Sequence, residues 1–192
     1  MSTNFSLTDQ EKHALCGLAR WGILCGFAGK QPDGPDVPAP PAGVLREQLG
    51  SFVTLKRKGH LRGCIGTILP QEELYRNVAR MGYASAFHDQ RFPPLLREEL
   101  DDTEIEISVL GPITPCPDPE QIEVGRHGLL LRLGDKAGVF LPKVPVEQGW
   151  DRPAYLENLC RKANLPGGSW QDPNAQLFWY EALVFAAGDG GG

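Results

Sequence analysis

Ser51-Phe52-Val53-Thr54-Leu55-Lys56-Arg57-Lys58-Gly59-His60-Leu61-Arg62-Gly63-Cys64-Ile65-Gly66-Thr67-Ile68 reads as two strands, Ser51 to Arg57 and His60 to Ile68, folded into a hairpin around Lys58-Gly59. Alternation from His60 puts His60, Arg62 and Cys64 on one face and Leu61, Gly63 and Ile65 on the other. A strand loses stability at an interior glycine, so Gly63 and Gly66 around Cys64 mark a bulge or a place where something approaches the backbone closely. A thiol held between them beside a guanidinium is the first candidate site.

Working outward, Glu104 to Leu110 alternates strictly, with Ile105, Ile107 and Val109 on one face and Glu104, Glu106 and Ser108 on the other. That is the pattern of a half-buried antiparallel strand, and it turns Glu106 away from the apolar side. Thr8 to Glu11 forms a capping box, and Leu15, Leu18, Ala19, Gly22 and Ile23 continue at helical spacing. A proline-rich loop from Gln31 to Gly43 leads to a short helix near Val44 to Leu49. Pro70 starts a second helix, with Glu72 and Glu73 in its first turn, that runs toward Phe87. The polar loop His88 to Pro94 and a brief helix near Leu95 to Leu100 follow. Four prolines between Gly111 and Pro119 lead into a smaller unit with a hairpin across Asp135-Lys136. Asp151 caps a helix that turns Tyr155, Leu156, Leu159, Cys160 and Ala163 inward, and a last strand spans Leu177 to Phe185.

Strands and helices do not alternate as βαβ units. The fold class is therefore α+β, a largely antiparallel sheet with flanking helices and a smaller β-rich subdomain. The expected large part covers about residues 1–111 and 151–187, the small part about 112–150, and residues 188–192 form a disordered tail.

A formal net charge of -5 over 192 residues argues against broad electrostatic binding to nucleic acid or acidic membranes. Lys56 to Arg62 is a charged hairpin tip without aromatic residues for base stacking, which makes RNA binding a minor alternative. The N-terminus lacks a signal-peptide pattern and no apolar run reaches the roughly 18 residues of a membrane span, so the expected address is cytoplasm. Five widely spaced cysteines, at positions 16, 25, 64, 116 and 160, then read as reduced thiols. On that address the sequon Asn4-Phe5-Ser6 goes unused.

No metal site is expected: there is no Cys-x-x-Cys and no His-x-x-x-His, and the nearest approach is His13 with Cys16. Gly29-Lys30-Gln31 fails as a phosphate loop, and no Gly-x-Ser-x-Gly elbow occurs. Cys64 is a nucleophile if its thiolate is favoured, and Arg62, roughly 6–7 Å along the strand, supplies positive charge. The alternative is a buried thiol acting as a small hydrophobe. His60, about 13 Å away, is too far to be a direct partner, so helpers come from elsewhere in the fold. The candidates are His88, Asp89, Arg91, Glu106 and His127. Each has a structural counterpart: Asp89 as a cap, Arg91 as an ion-pair partner, Glu106 as a solvated strand face.

Leu61-Arg62-Gly63-Cys64-Ile65-Gly66, Asp89-Gln90-Arg91-Phe92-Pro93, Glu106-Ile107-Ser108-Val109-Leu110 and Phe140-Leu141-Pro142 through Val146-Glu147-Gln148-Gly149-Trp150-Asp151 together resemble the AMMECR-one domain family. The match runs over nearly the whole chain, and four separated motifs in order make it specific. The sequence departs from the family pattern at Gln90, where proline or serine is usual, at Gly111 (threonine) and at Lys143 (glutamine). The resemblance implies one domain over residues 1–192, built as a two-part α+β fold with a cleft between the parts. It also implies neighbours of the Memo type and the radical-SAM type, as in the AmmeMemoRadiSam system, and leaves the cofactor open.

Two functions follow as expectations. In the first, the chain is an enzyme or part of an enzyme system: Cys64 is the nucleophile and Glu106 or Glu147 transfers the proton. Arg62, Gly63, Gly66, Asp89, Arg91 and Trp150 bind a small anionic or protein-borne substrate. In the second, the chain is a non-catalytic protein-binding or adaptor module with Trp150 and Phe92 as aromatic anchors.

Overall fold

Thr8 Oγ1 accepts the Glu11 N–H while the Glu11 carboxylate takes the Thr8 N–H, and this box starts the first helix where the sequence predicts. The computed structural model describes residues 6–186. In chain order its main elements are α1 (Asp9–Phe27), β1 (Ser51–Arg57), β2 (His60–Thr67), α2 (Leu74–Phe87), β3 (Thr103–Leu110), β4 (Thr114–Pro115), β5 (Gly128–Leu133), β6 (Lys136–Phe140), α3 (Lys143–Glu147), α4 (Arg152–Lys162), β7 (Gln176–Tyr180) and β8 (Ala182–Ala186). They form two four-stranded sheets, ordered β2-β1-β3-β8 and β4-β7-β5-β6, and the described registers are antiparallel. The α+β class holds.

The chain divides into two compact units, one running to Leu110 and resuming at Leu183, the other Gly111–Ala182. In the first, Val53, Leu55, Ile105, Ile107 and Val109 cover one face of the sheet and join Leu15, Ile23, Leu74 and Val78 of the helices in one core. Each such aliphatic side chain contributes about 1.5–3 kcal/mol on burial. The opposite sheet face carries Thr54, Lys56, Cys64 and Glu106. In the second unit α4 packs Tyr155, Leu156, Leu159 and Cys160 with Leu129 and Leu131 of β5.

Four local expectations change. The second helix begins at Leu74, not at Pro70, because the Leu74 N–H donates to the Glu47 carbonyl and Glu73 becomes the N-cap. The short helices expected near Val44 and Leu95 are 3-10 turns, Val44–Arg46 and Arg97–Asp102. The single last strand is two strands, since the chain leaves one sheet after Tyr180 and enters the other at Ala182. Finally, the helix after Asp151 belongs to the second unit, whereas the sequence assigned residues 151–187 to the first. An amphipathic helix shows which face it buries but not which sheet receives it. The expected tail at 188–192 lies outside the described residues, and so do the first two positions of the Asn4 sequon.

Candidate active site

Register assembles the polar face of the first sheet. Cys64 on β2 opposes Thr54 on β1, and Thr54 opposes Glu106 on β3. Directly opposed residues project to the same side, so these three form a row across the sheet at about 5 Å per step. Thr54 Oγ1 lies 3.2 Å from Cys64 Sγ. Two residues further along β1, Lys56 Nζ donates to Glu106 Oε2 at 2.5 Å. Two residues beyond Glu106 on the same face, the buried Ser108 Oγ has no hydrogen-bond partner among the described residues. Cys64 and Glu106 are half-buried, whereas Thr54 between them is 4% exposed and Ser108 is 1% exposed.

β2 is an edge strand, and a carboxylate with a guanidinium stands where a fifth strand would pair. The Cys64 N–H donates to Asp89 Oδ2 at 2.8 Å, and Arg91 Nη2 donates to the Cys64 carbonyl at 3.2 Å. Arg91 also grips Asp89 with two bonds, Nε to Oδ1 at 2.9 Å and Nη2 to Oδ2 at 2.7 Å. The Arg91 hydrogen bond, helped by the N–H groups of Cys64 and Arg91 and opposed by burial, holds the Asp89 carboxyl far below the usual carboxylate range. Asp89 in turn raises Arg91, whose side chain remains more than half exposed. Two conclusions follow for the chemistry. The Cys64 amide is taken by Asp89 and is no donor for an oxyanion, while the sulfur itself faces a hydroxyl that donates to a thiolate.

The structure brings Cys64, Asp89, Arg91 and Glu106 to one region of the first unit. Arg62 is a correction. β2 carries an irregularity opposite Leu55 and Lys56 that leaves Arg62 out of the pairing and breaks the alternation that would align it with Cys64. Its guanidinium instead binds the Glu99 carboxylate and the Pro93 and Pro94 carbonyls. Gly63 and Gly66 are corrections as well, because neither leaves room for a ligand on the side where a Cβ would stand. At Gly63 that Cβ would lie 2.1 Å from the Ser85 carbonyl oxygen, and at Gly66 it would lie 2.2 Å from the Phe52 ring. Glu147 is exposed at the end of α3 in the second unit. Trp150, also there, is half-buried and edge-on to Phe140 at 5.4 Å.

The two histidine candidates have structural neighbours. His88 caps α2 and lies edge-on to Tyr83 at 5.0 Å. His127 Nδ1 accepts the Glu123 N–H, its ring lies 4.4 Å from Trp179, and burial lowers its pKa. The residues that sequence reasoning missed are Thr54, Lys56 and the unpaired Ser108 hydroxyl. Their signal was alternation within β1 and β3, but only the pairing register places them beside Cys64.

The AMMECR1 family model matches residues 16–185. This chain belongs to the AMMECR1 family. It is similar to protein MK0488 of Methanopyrus kandleri, 39% identical over 189 residues that cover 93% of this chain and 89% of that protein. A Thermococcus gammatolerans protein is 40% identical over 191 residues, covering 94% and 92%. Among solved structures, the crystal structure of the uncharacterized protein PH0010 from Pyrococcus horikoshii aligns with a TM-score of 0.84 at 36% identity, covering 96% of this chain and 95% of that one. Among the described residues of this AMMECR1 protein, no group of three or more His, Cys, Asp and Glu side chains is arranged to hold a metal ion. No helix there is long and apolar enough to cross a membrane.

Proposed function

We propose that this AMMECR1 protein works as a thiol-dependent enzyme, alone or as a component of an enzyme system, on a small anionic or protein-borne substrate. The observation that carries this is the row Cys64, Thr54, Glu106, in which a nucleophile, a hydroxyl and a carboxylate share one sheet face with Sγ and Oγ1 3.2 Å apart. The Cys64 thiol passes its proton to Thr54 Oγ1 as Thr54 hands its own toward the Glu106 carboxylate, and the sulfur adds to a carbonyl carbon whose C=O π pair moves onto the oxygen. The outward N–H groups of Arg91 hold the anionic part of the substrate. The Asp89 clamp keeps the strand edge, and with it the thiol, in place. A working thiol suits a reducing compartment, which supports a cytoplasmic setting, and the family resemblance supports Memo-type and radical-SAM proteins as partners.

Alkylation at pH 7, followed by peptide mass spectrometry, tests the proposal. Cys64 is expected to react at least about tenfold faster than the fully buried Cys160 and than Cys116, whose thiol burial pushes up in pKa. Thr54→Val is expected to slow Cys64 about fivefold, the worth of one hydrogen bond to the thiolate. The rate ratio of iodoacetate to iodoacetamide at Cys64 is expected to exceed that of N-acetylcysteine and to fall in Arg91→Ala. Cys64 labelling as slowly as Cys160 would overturn the proposal.

A further inference from the structure

Ser108 is the one buried hydroxyl without a partner among the described residues, and neither the fold nor the chemistry above uses it. A buried hydroxyl that donates and accepts nothing is costly unless something arrives to satisfy it. Its surroundings are set by register. Ser108 opposes Phe52, which opposes Gly66, so these three form a second row directly beside Cys64, Thr54 and Glu106. The Phe52 ring lies where a Gly66 side chain would stand, so it leans toward β2 and away from Ser108. Two strand spacings and two residues separate Ser108 from Cys64, roughly 12 Å between their Cα atoms.

We infer that Ser108 is the far anchor of the Cys64 site, and that the ligand is an elongated molecule whose reacting end meets the thiol and whose other end presents an uncharged amide or hydroxyl to Ser108 Oγ. This rests on the function proposed above and adds the length and polarity of the substrate to it. The distal group is neutral because Ser108 carries no compensating charge and is 1% exposed. Ser108 donates to or accepts from such a group equally well. Entry is from the β2 side, where Cys64 is half-buried.

N-substituted chloroacetamides of graded length test this on the intact protein. They form matched pairs ending either in a primary amide or in an isosteric branched alkyl group. With the terminus about 10 Å from the reactive carbon, the amide member is expected to modify Cys64 at least about fivefold faster than its alkyl partner. In shorter pairs the preference disappears. Ser108→Ala removes only an unpaired oxygen, so the variant is expected to fold, as circular dichroism will show, and its amide preference is expected to fall to about onefold. Equal rates within the long pair, or a preference that survives Ser108→Ala, would overturn the inference while leaving a reactive Cys64 intact. A Cys64 that resists iodoacetamide as well would overturn the proposed function along with it.

Discussion

Gly63→Ala is expected to lower the melting temperature by about 6–12 °C, the equivalent of about 3 kcal/mol in a chain of this size. The added Cβ would stand 2.1 Å from the Ser85 carbonyl oxygen and 3.1 Å from its carbon, so the clash is with backbone and no side-chain rotation relieves it. Nor is α2 free to retreat. Ser85 Oγ accepts the Ile65 N–H at 2.9 Å and donates to the Val53 carbonyl at 2.7 Å, tying the helix to both strands of the hairpin next to Gly63. Moving the helix away breaks both hydrogen bonds, one of them buried; leaving it in place overpacks the core. Gly17→Ala is the matched control. It lies on the exposed side of α1 with nothing within 4 Å of the added atom, and is expected to stabilise by up to about 1 kcal/mol through helix propensity. A thermal scan in which both variants melt with the parent would show that α2 does not press on β2 at this point.

Glu99→Gln is expected to cost about 2–3 kcal/mol at pH 7 and about half of that at pH 3. Glu99 is 8% exposed, and its carboxylate gathers Arg57 Nη1 at 2.8 Å, Arg62 Nη2 at 2.8 Å and the Leu96 N–H at 2.9 Å. An amide in its place removes the charge and turns a donor toward two guanidinium groups, one of them 13% exposed. The Arg62 hydrogen bond, together with the Leu96 N–H and the charges of Arg62 and Arg57, outweighs burial and holds the Glu99 carboxyl at about 2. This folded value lies below the unfolded one, about 4.3. The stabilisation is therefore complete above the unfolded value and disappears as pH falls toward about 2. Urea midpoints at pH 7, 4 and 3 are expected to show parent and variant converging as the pH drops. A gap as wide at pH 3 as at pH 7 would assign the loss to packing instead of charge. Asp89, depressed in the same direction, adds to the acid sensitivity of the parent.

Much of this protein is legible one segment at a time. Strict alternation from Glu104 to Leu110 marks β3, and Lys58-Gly59 marks the turn of the hairpin. Thr8 and Glu11 locate the start of α1 within a residue. These signals are local: a cap, a turn or a period is decided by residues within a few positions of each other. The Cys64 site was only half visible for the same reason. Asp89, Arg91 and Glu106 stood out by chemistry, but one unpaired residue on β2 is enough to send Arg62 to Glu99, and no pattern in Leu61-Arg62-Gly63 announces it. The glycines pointed correctly to a close approach, yet what approaches is the chain's own backbone and the Phe52 ring.

The amino-acid order alone determined the α+β class, the positions of the principal helices and strands, and a thiol flanked by glycines in a hairpin, because each depends on interactions between near neighbours in the chain. Tertiary structure alone decided that Thr54 stands between Cys64 and Glu106, that Ser108 is buried without a partner among the described residues, and that α4 packs in the second unit. Those outcomes depend on strand register and on which face each helix covers. Both are set by the summed packing of residues far apart in sequence, and one slipped or extra residue changes the set of side chains that meet.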